Sequence, residues 1–128
     1  MTLVEVLVAM AIVFIIFLGM SSAGLVVLDQ NIKNSQRDEA VGVAELELQQ
    51  TRNIPFNVLT LATDNVSASI DNVSRRIRGL DVNYGVSRTV NHLDPNNLQV
   101  SIRVTWNRIE NGQTRTYNHT VITIVRPR

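Results

Sequence analysis

The chain is 128 residues long and contains no cysteine, so it has room for one domain and can hold neither a disulfide framework nor a thiolate metal site. Twelve Lys and Arg stand against eleven Asp and Glu, a net charge of +1 that excludes a strongly polybasic or polyacidic protein. That balance hides an asymmetry: residues 1–70 carry three bases and seven acids, residues 71–128 nine Arg and four acids.

The first stretch organises the rest. No charged side chain lies between Glu5 and Asp29, and Val6 to Leu28 is 23 residues. As a helix that run is about 35 Å long, enough for the ~30 Å hydrocarbon core of a bilayer. A lone carboxylate at the edge of such a helix is costly without a partner. With Met1 as first residue, its α-amino group is the nearest candidate. A secretory signal sequence has a basic start and a shorter apolar core, whereas the only early side-chain charge here is negative. An ordinary single-pass anchor seldom carries a carboxylate such as Glu5 inside its span, because the charge is costly there.

Met1-Thr2-Leu3-Val4-Glu5-Val6 resembles the mature N-terminus of type IV pilins and of the related pseudopilins of type II secretion, which reads roughly F-T-L-[IV]-E-[LV]. The match holds from Thr2 to Val6 and departs at Met1, where Phe is most usual. The likeness is specific over about the first 28 residues and only architectural beyond them. It implies a basic leader ending in Gly, removed by a dedicated peptidase that methylates the new terminal amine, here on Met1. It implies assembly by an inner-membrane platform with a cytoplasmic ATPase, other copies of the chain as partners, and a final place in an extracellular or periplasmic filament. Met1, Thr2 and Glu5 become the assembly residues, with Glu5 neutralising the Met1 amine of a neighbouring copy and Thr2 hydrogen bonding nearby. Many pilins staple their C-terminal region with a disulfide, which this chain cannot do.

Helix formers continue past Asp29 to Asn53, with no Pro before Pro55. Residues 1–53 therefore read as one helix of roughly 80 Å, too long for a compact domain of this size, so its apolar half should protrude. In residues 29–53, Ile32, Val43 and Leu46 form one stripe, extended by Ile54, and Val41, Ala44 and Leu48 a second on the opposite side. One stripe would face the chain's own domain and the other something else. Gly19 and Gly24 flank Ser21-Ser22 and make this the weakest part of the helix. Pilin-family helices commonly carry a Pro near here and lose helical structure on assembly; this chain lacks the Pro.

Ile54 precedes Pro55 and is pushed out of helical geometry. Residues 54–79 are polar and irregular and read as a connecting region. From Leu80 the period changes to two. Leu80, Val82, Tyr84 and Val86 face one way, as do Leu98, Val100, Ile102, Val104 and Trp106, giving two half-buried strands joined through a turn at Asp94–Asn97. Asn111-Gly112 predicts a type I′ hairpin that sets Trp106 opposite Tyr117 and Ile102 opposite Val121. The third strand runs from Thr114 to Val125. The fold expected is α+β: a long helical spine packed on a three-stranded antiparallel sheet spanning 80–128, with segments 1–28, 29–53 and 54–79 before it.

Catalytic machinery is missing from this pattern. His92, read as lying in a turn, and His119, on a strand, have no Ser or acid at a suggestive spacing. Asp94, Asn96 and Asn97 are too few oxygens for calcium and read as a turn. Arg75, Arg76 and Arg78 are too short a cluster, with no adjoining aromatic platform, to bind nucleic acid. The sequence implies no enzyme, no cofactor, no metal and no small-molecule substrate. The opposite charge of the two halves suggests contacts between copies, from Arg75, Arg76 and Arg78 to Asp38, Glu39, Glu45 or Glu47. A filament subunit leads this reading, with minor pilin, pseudopilin and a monomeric membrane-anchored binding module as alternatives.

Overall fold

A computed structural model describes residues 2–127. The chain divides into two compact units, the second beginning at Ser35. Helix α1 (Leu3–Arg52) contributes to both. Within the first unit every described residue through Asn31 is exposed.

In the second unit α1 buries a single stripe, Gln36, Ala40, Val43, Ala44, Glu47 and Thr51, at the three- and four-residue steps of one helix face. This corrects the two-stripe reading. Val43 and Ala44 share the face, Leu46 is exposed, and Leu48 lies at the margin of the core. The apolar residues alone misplace the face because half of it is polar. Ala40 and Ala44 on this face are both fully buried. Asn53 and Ile54 close α1 with bonds to the carbonyls of Gln50 and Thr51 at 3.0 and 3.1 Å, a tightened last turn that ends before Pro55. Helix α2 (Phe56–Leu59) follows and buries Leu59.

Four strands form an antiparallel meander, β1 (Ser67–Ile77), β2 (Leu80–Asp94), β3 (Asn97–Glu110) and β4 (Gln113–Val125), in that spatial order. The expectation of three strands is therefore corrected to four, and much of 54–79 is sheet rather than connection. Strand β1 escapes the period-two pattern for two reasons. It is an edge strand rich in Ser, Asn, Asp and Arg, with only Ile77 fully in the core and Ile70 and Val73 at its margin. A bulge between Ser69 and Asp71 also breaks its alternation. Arg78 and Gly79 both have positive φ, 49° and 86°, and connect β1 to β2 in a two-residue turn. Strand β2 continues through His92, with Arg88 at an inward position opposite Ile102, where the pattern called for an apolar residue.

The β3–β4 hairpin is as expected. Asn111 and Gly112 have φ of 52° and 76°, and Trp106 pairs with Tyr117 and Ile102 with Val121. Leu98, Val100, Ile102 and Val104 are fully buried, each stabilising the fold by about 1.5–3 kcal/mol relative to exposure. Trp106 stands between Tyr84 and Tyr117, with ring centroids 5.9 Å from each. The Tyr84 hydroxyl donates to the Gln36 carbonyl at 2.9 Å, tying β2 to α1. Burial, with Glu39 nearby, pushes that phenol up to about 12.

Trp106 is thus a core residue bridging three strands rather than a surface ligand contact. Replacing it with Ala is expected to cost about 3–5 kcal/mol, read as a lower denaturation midpoint of the second unit; an unchanged midpoint would contradict its place in the core.

Candidate functional site

The N-terminal end of α1 is built by two side chains. Thr2 precedes the first helical residue and Glu5 is the third within the helix. The Thr2 backbone N–H donates to Glu5 Oε2 at 2.6 Å, and the Glu5 N–H donates to Thr2 Oγ1 at 3.3 Å. The Thr2 carbonyl accepts the first intrahelical bond, from Val6, at 3.3 Å. This is a capping box, in which two backbone donors that the helix leaves orphaned are satisfied reciprocally. A carboxylate in the first turn also meets the positive end of the helix dipole. The Thr-x-x-Glu spacing that signals it is present in the sequence, so the carboxylate has a partner in its own backbone besides any terminal amine. Met1, assigned the amine and its methylation, lies outside the described residues.

Beyond the cap, α1 contains a run long and apolar enough to cross a membrane, and none of its most apolar window is buried. Leu7, Val13, Phe14, Ile15, Phe17 and Met20 are among its large exposed side chains. Ser21 donates to the Phe17 carbonyl at 3.0 Å, so its hydroxyl is satisfied within the helix. The helix continues unbroken through Gly19–Gly24.

The residues assigned to charge contacts have several placements. Arg75 Nε donates to Glu39 Oε1 at 3.0 Å within the same chain, joining β1 to α1. Both side chains are nearly half exposed, so the pair contributes about 0–1 kcal/mol. Arg76 lies 4.0 Å from Asp81 across the β1–β2 turn, with both side chains about three-quarters exposed. Arg78 holds the first of the two positive-φ positions of that turn. Glu47 is buried on the face of α1 that meets the sheet, whereas Asp38 and Glu45 are exposed.

His92 is on β2 rather than in a turn, and an acid does meet it. Asp64, 28 residues away in sequence, accepts from the His92 backbone N–H at 2.8 Å and contacts ring Nδ1 with the same oxygen. The bond from that ring, then the backbone bond, holds the Asp64 carboxyl below the usual range. Sequence spacing could not find this contact, because only the fold brings the segment before β1 to the end of β2.

Asp94 accepts from the Asn96 N–H at 2.8 Å and from the Asn97 side-chain amide at 2.6 Å, the turn expected of these residues. Those amides, Asn97 foremost, hold its carboxyl below the ordinary value. No cluster of His, Cys, Asp or Glu suited to a metal ion occurs among the described residues. Compared with known proteins, the chain matches no family model, no curated protein and no solved structure.

The capping geometry has a direct check. Thr2→Ala removes one half of the box and should cost the first turn about 1 kcal/mol, seen by NMR in micelles as faster amide exchange at Val4, Glu5 and Val6. Unchanged exchange there would show that the box does not hold the helix end.

Proposed function

We propose that this chain is the structural subunit of a type IV pilus-like helical filament, assembled from the inner membrane through the apolar half of α1. The observation that carries the reading is a single carboxylate, Glu5, capping a helix whose following 23 residues are uncharged and, in the isolated chain, exposed. Such a surface is stable in lipid or against like surfaces, and not in water. The subunit's work is association rather than catalysis. The helix first spans the bilayer, then leaves it and packs against equivalent helices in a filament core, one apolar environment replacing another. Peptidase, platform and ATPase enter by the family resemblance.

In this reading Glu5 has two tasks. One carboxylate oxygen is enough for the cap. The negative charge then attracts the Met1 amine of a neighbouring copy and sets the register between subunits, since either charge alone is expensive in apolar surroundings. Because Arg75 already has Glu39 and Arg76 has Asp81 as a partner in its own chain, charge contacts between copies fall first to the exposed Asp38 and Glu45 and to Arg78.

Glu5→Gln separates the two tasks. Gln at this position also completes a capping box, so the helix end survives while the charge is lost. The expected outcome is normal membrane insertion and processing, with filament yield reduced at least about tenfold, equivalent to about 1.4 kcal/mol of assembly free energy. Filaments at wild-type yield would sink the register role, whereas a wild-type chain that inserts and yields no filaments would leave a membrane-anchored module as the better reading.

A further inference from the structure

Strand β2 outruns its neighbour on one side. Pairing with β1 ends at Ser67 and Thr89, leaving the β1-side edge of β2 without a strand from Val90 onward. The segment between α2 and β1 covers that edge through side chains. Asn91 Oδ1 accepts from the Asn65 backbone N–H at 2.8 Å, and Asp64 Oδ1 accepts from the His92 backbone N–H at 2.8 Å. The His92 ring completes the closure at both nitrogens: Nδ1 meets Asp64 Oδ1, and Nε2 lies 3.1 Å from the Thr60 carbonyl oxygen. A carboxylate and a carbonyl are acceptors only. A neutral imidazole donates from one nitrogen and presents a lone pair at the other, so only the imidazolium satisfies both contacts.

We propose that His92, Asp64 and Thr60 form a proton-dependent latch that holds residues 60–65 against the open edge of β2, with the doubly protonated ring as its closed state. The inference rests on the sheet unit alone and is independent of the filament reading. When the ring loses its proton, Asp64 retains the remaining N–H at Nδ1. Nε2 then turns a lone pair towards the Thr60 carbonyl, and that contact is lost. Release therefore starts at Thr60, the residue that caps the C-terminal end of α2, and spreads towards Val58 and Leu61, whose side chains are already exposed.

The bond to Asp64 holds the ring's proton to higher pH than the ordinary 6.5, opposed by partial burial and helped by the Asp64 charge and the Thr60 carbonyl. The latch is thus fully present below the ordinary His value and is lost as pH rises through the raised one. On the acid side it is lost as pH falls through the lowered Asp64 value. The charges around the ring are few. Helix α2 carries none, and β3 sets Leu98 opposite His92. On β2 itself, Arg88 is four residues back and Asp94 two residues on. The Asp94 carboxylate is engaged by Asn96 and Asn97 and acted on by Arg126.

The test is an NMR titration of the full chain in detergent micelles, following the His92 ring, the Leu61 amide that shares a peptide with the Thr60 carbonyl, and exchange in α2. His92 should titrate above 6.5, and the Leu61 signal should move with the same midpoint. Exchange protection of α2 should fall roughly two- to tenfold across it, after allowance for base catalysis, which is the size of one net hydrogen bond. In Asp64→Asn the His92 and Leu61 midpoints should drop together, and in His92→Gln the Leu61 titration should vanish while the sheet unit stays folded. A His92 midpoint at or below 6.5, or a Leu61 signal indifferent to it, would overturn the latch.

Discussion

A helix of 23 consecutive uncharged residues cannot keep its apolar side chains in water, and the other features of this chain are arranged around that constraint. Every residue of the run that leaves water for lipid or for another apolar surface contributes the same kind of stabilisation, proportional to the area removed. The run therefore has no preference of its own between a bilayer and a bundle of like helices. What distinguishes the two is polar, and the polar groups at its start are few. Thr2 and Glu5 satisfy the backbone at the helix end, and a charge remains at the boundary. A group that is costly when alone and stable when paired is suited to reporting whether a neighbour is in place.

The second unit solves a different problem with the same helix. From Ser35 onward α1 turns a face of small and polar residues to a four-stranded sheet, and the sheet supplies most of the large apolar side chains. Leu98, Val100, Ile102 and Val104 on β3 are fully buried, and the Tyr84, Trp106 and Tyr117 rings cross three strands. Without disulfides, fastening comes from side chains linking elements: Tyr84 to the Gln36 carbonyl, Arg75 to Glu39, Arg52 to Thr123 at 3.0 Å, and the Asp64–His92 contact. The buried hydrogen bond of Tyr84 outweighs the exposed ion pairs, because surface pairs are screened and flexible.

How much was legible in the sequence depended on how local each cause was. The Asn111-Gly112 turn admits one register, so the pairing of Trp106 with Tyr117 followed from a dipeptide. The same logic applied to Arg78-Gly79, but Arg is not a residue that advertises positive φ, and the polar, bulged β1 before it gave no alternation to notice. The buried face of α1 was misread because Gln36, Glu47 and Thr51 lie on it, where hydropathy expects none of them. Glu5 stood out as a lone charge beside an apolar run, and the partner it has in the structure is the backbone three residues earlier. His92 and Asp64 are brought together only by the return of the chain along the sheet, a relation that neither motif nor period encodes.

The account depends on where residues 6–28 reside once subunits have associated. Electron cryomicroscopy of filaments sheared from cells expressing the chain addresses this directly. The account predicts a helical array with these segments packed side by side in a water-free core, Glu5 of one copy within ion-pair distance of the terminal amine of the next, and the sheet units outside. Cells that insert the chain into the membrane yet yield no filament, or a filament with residues 6–28 on its surface, would contradict it.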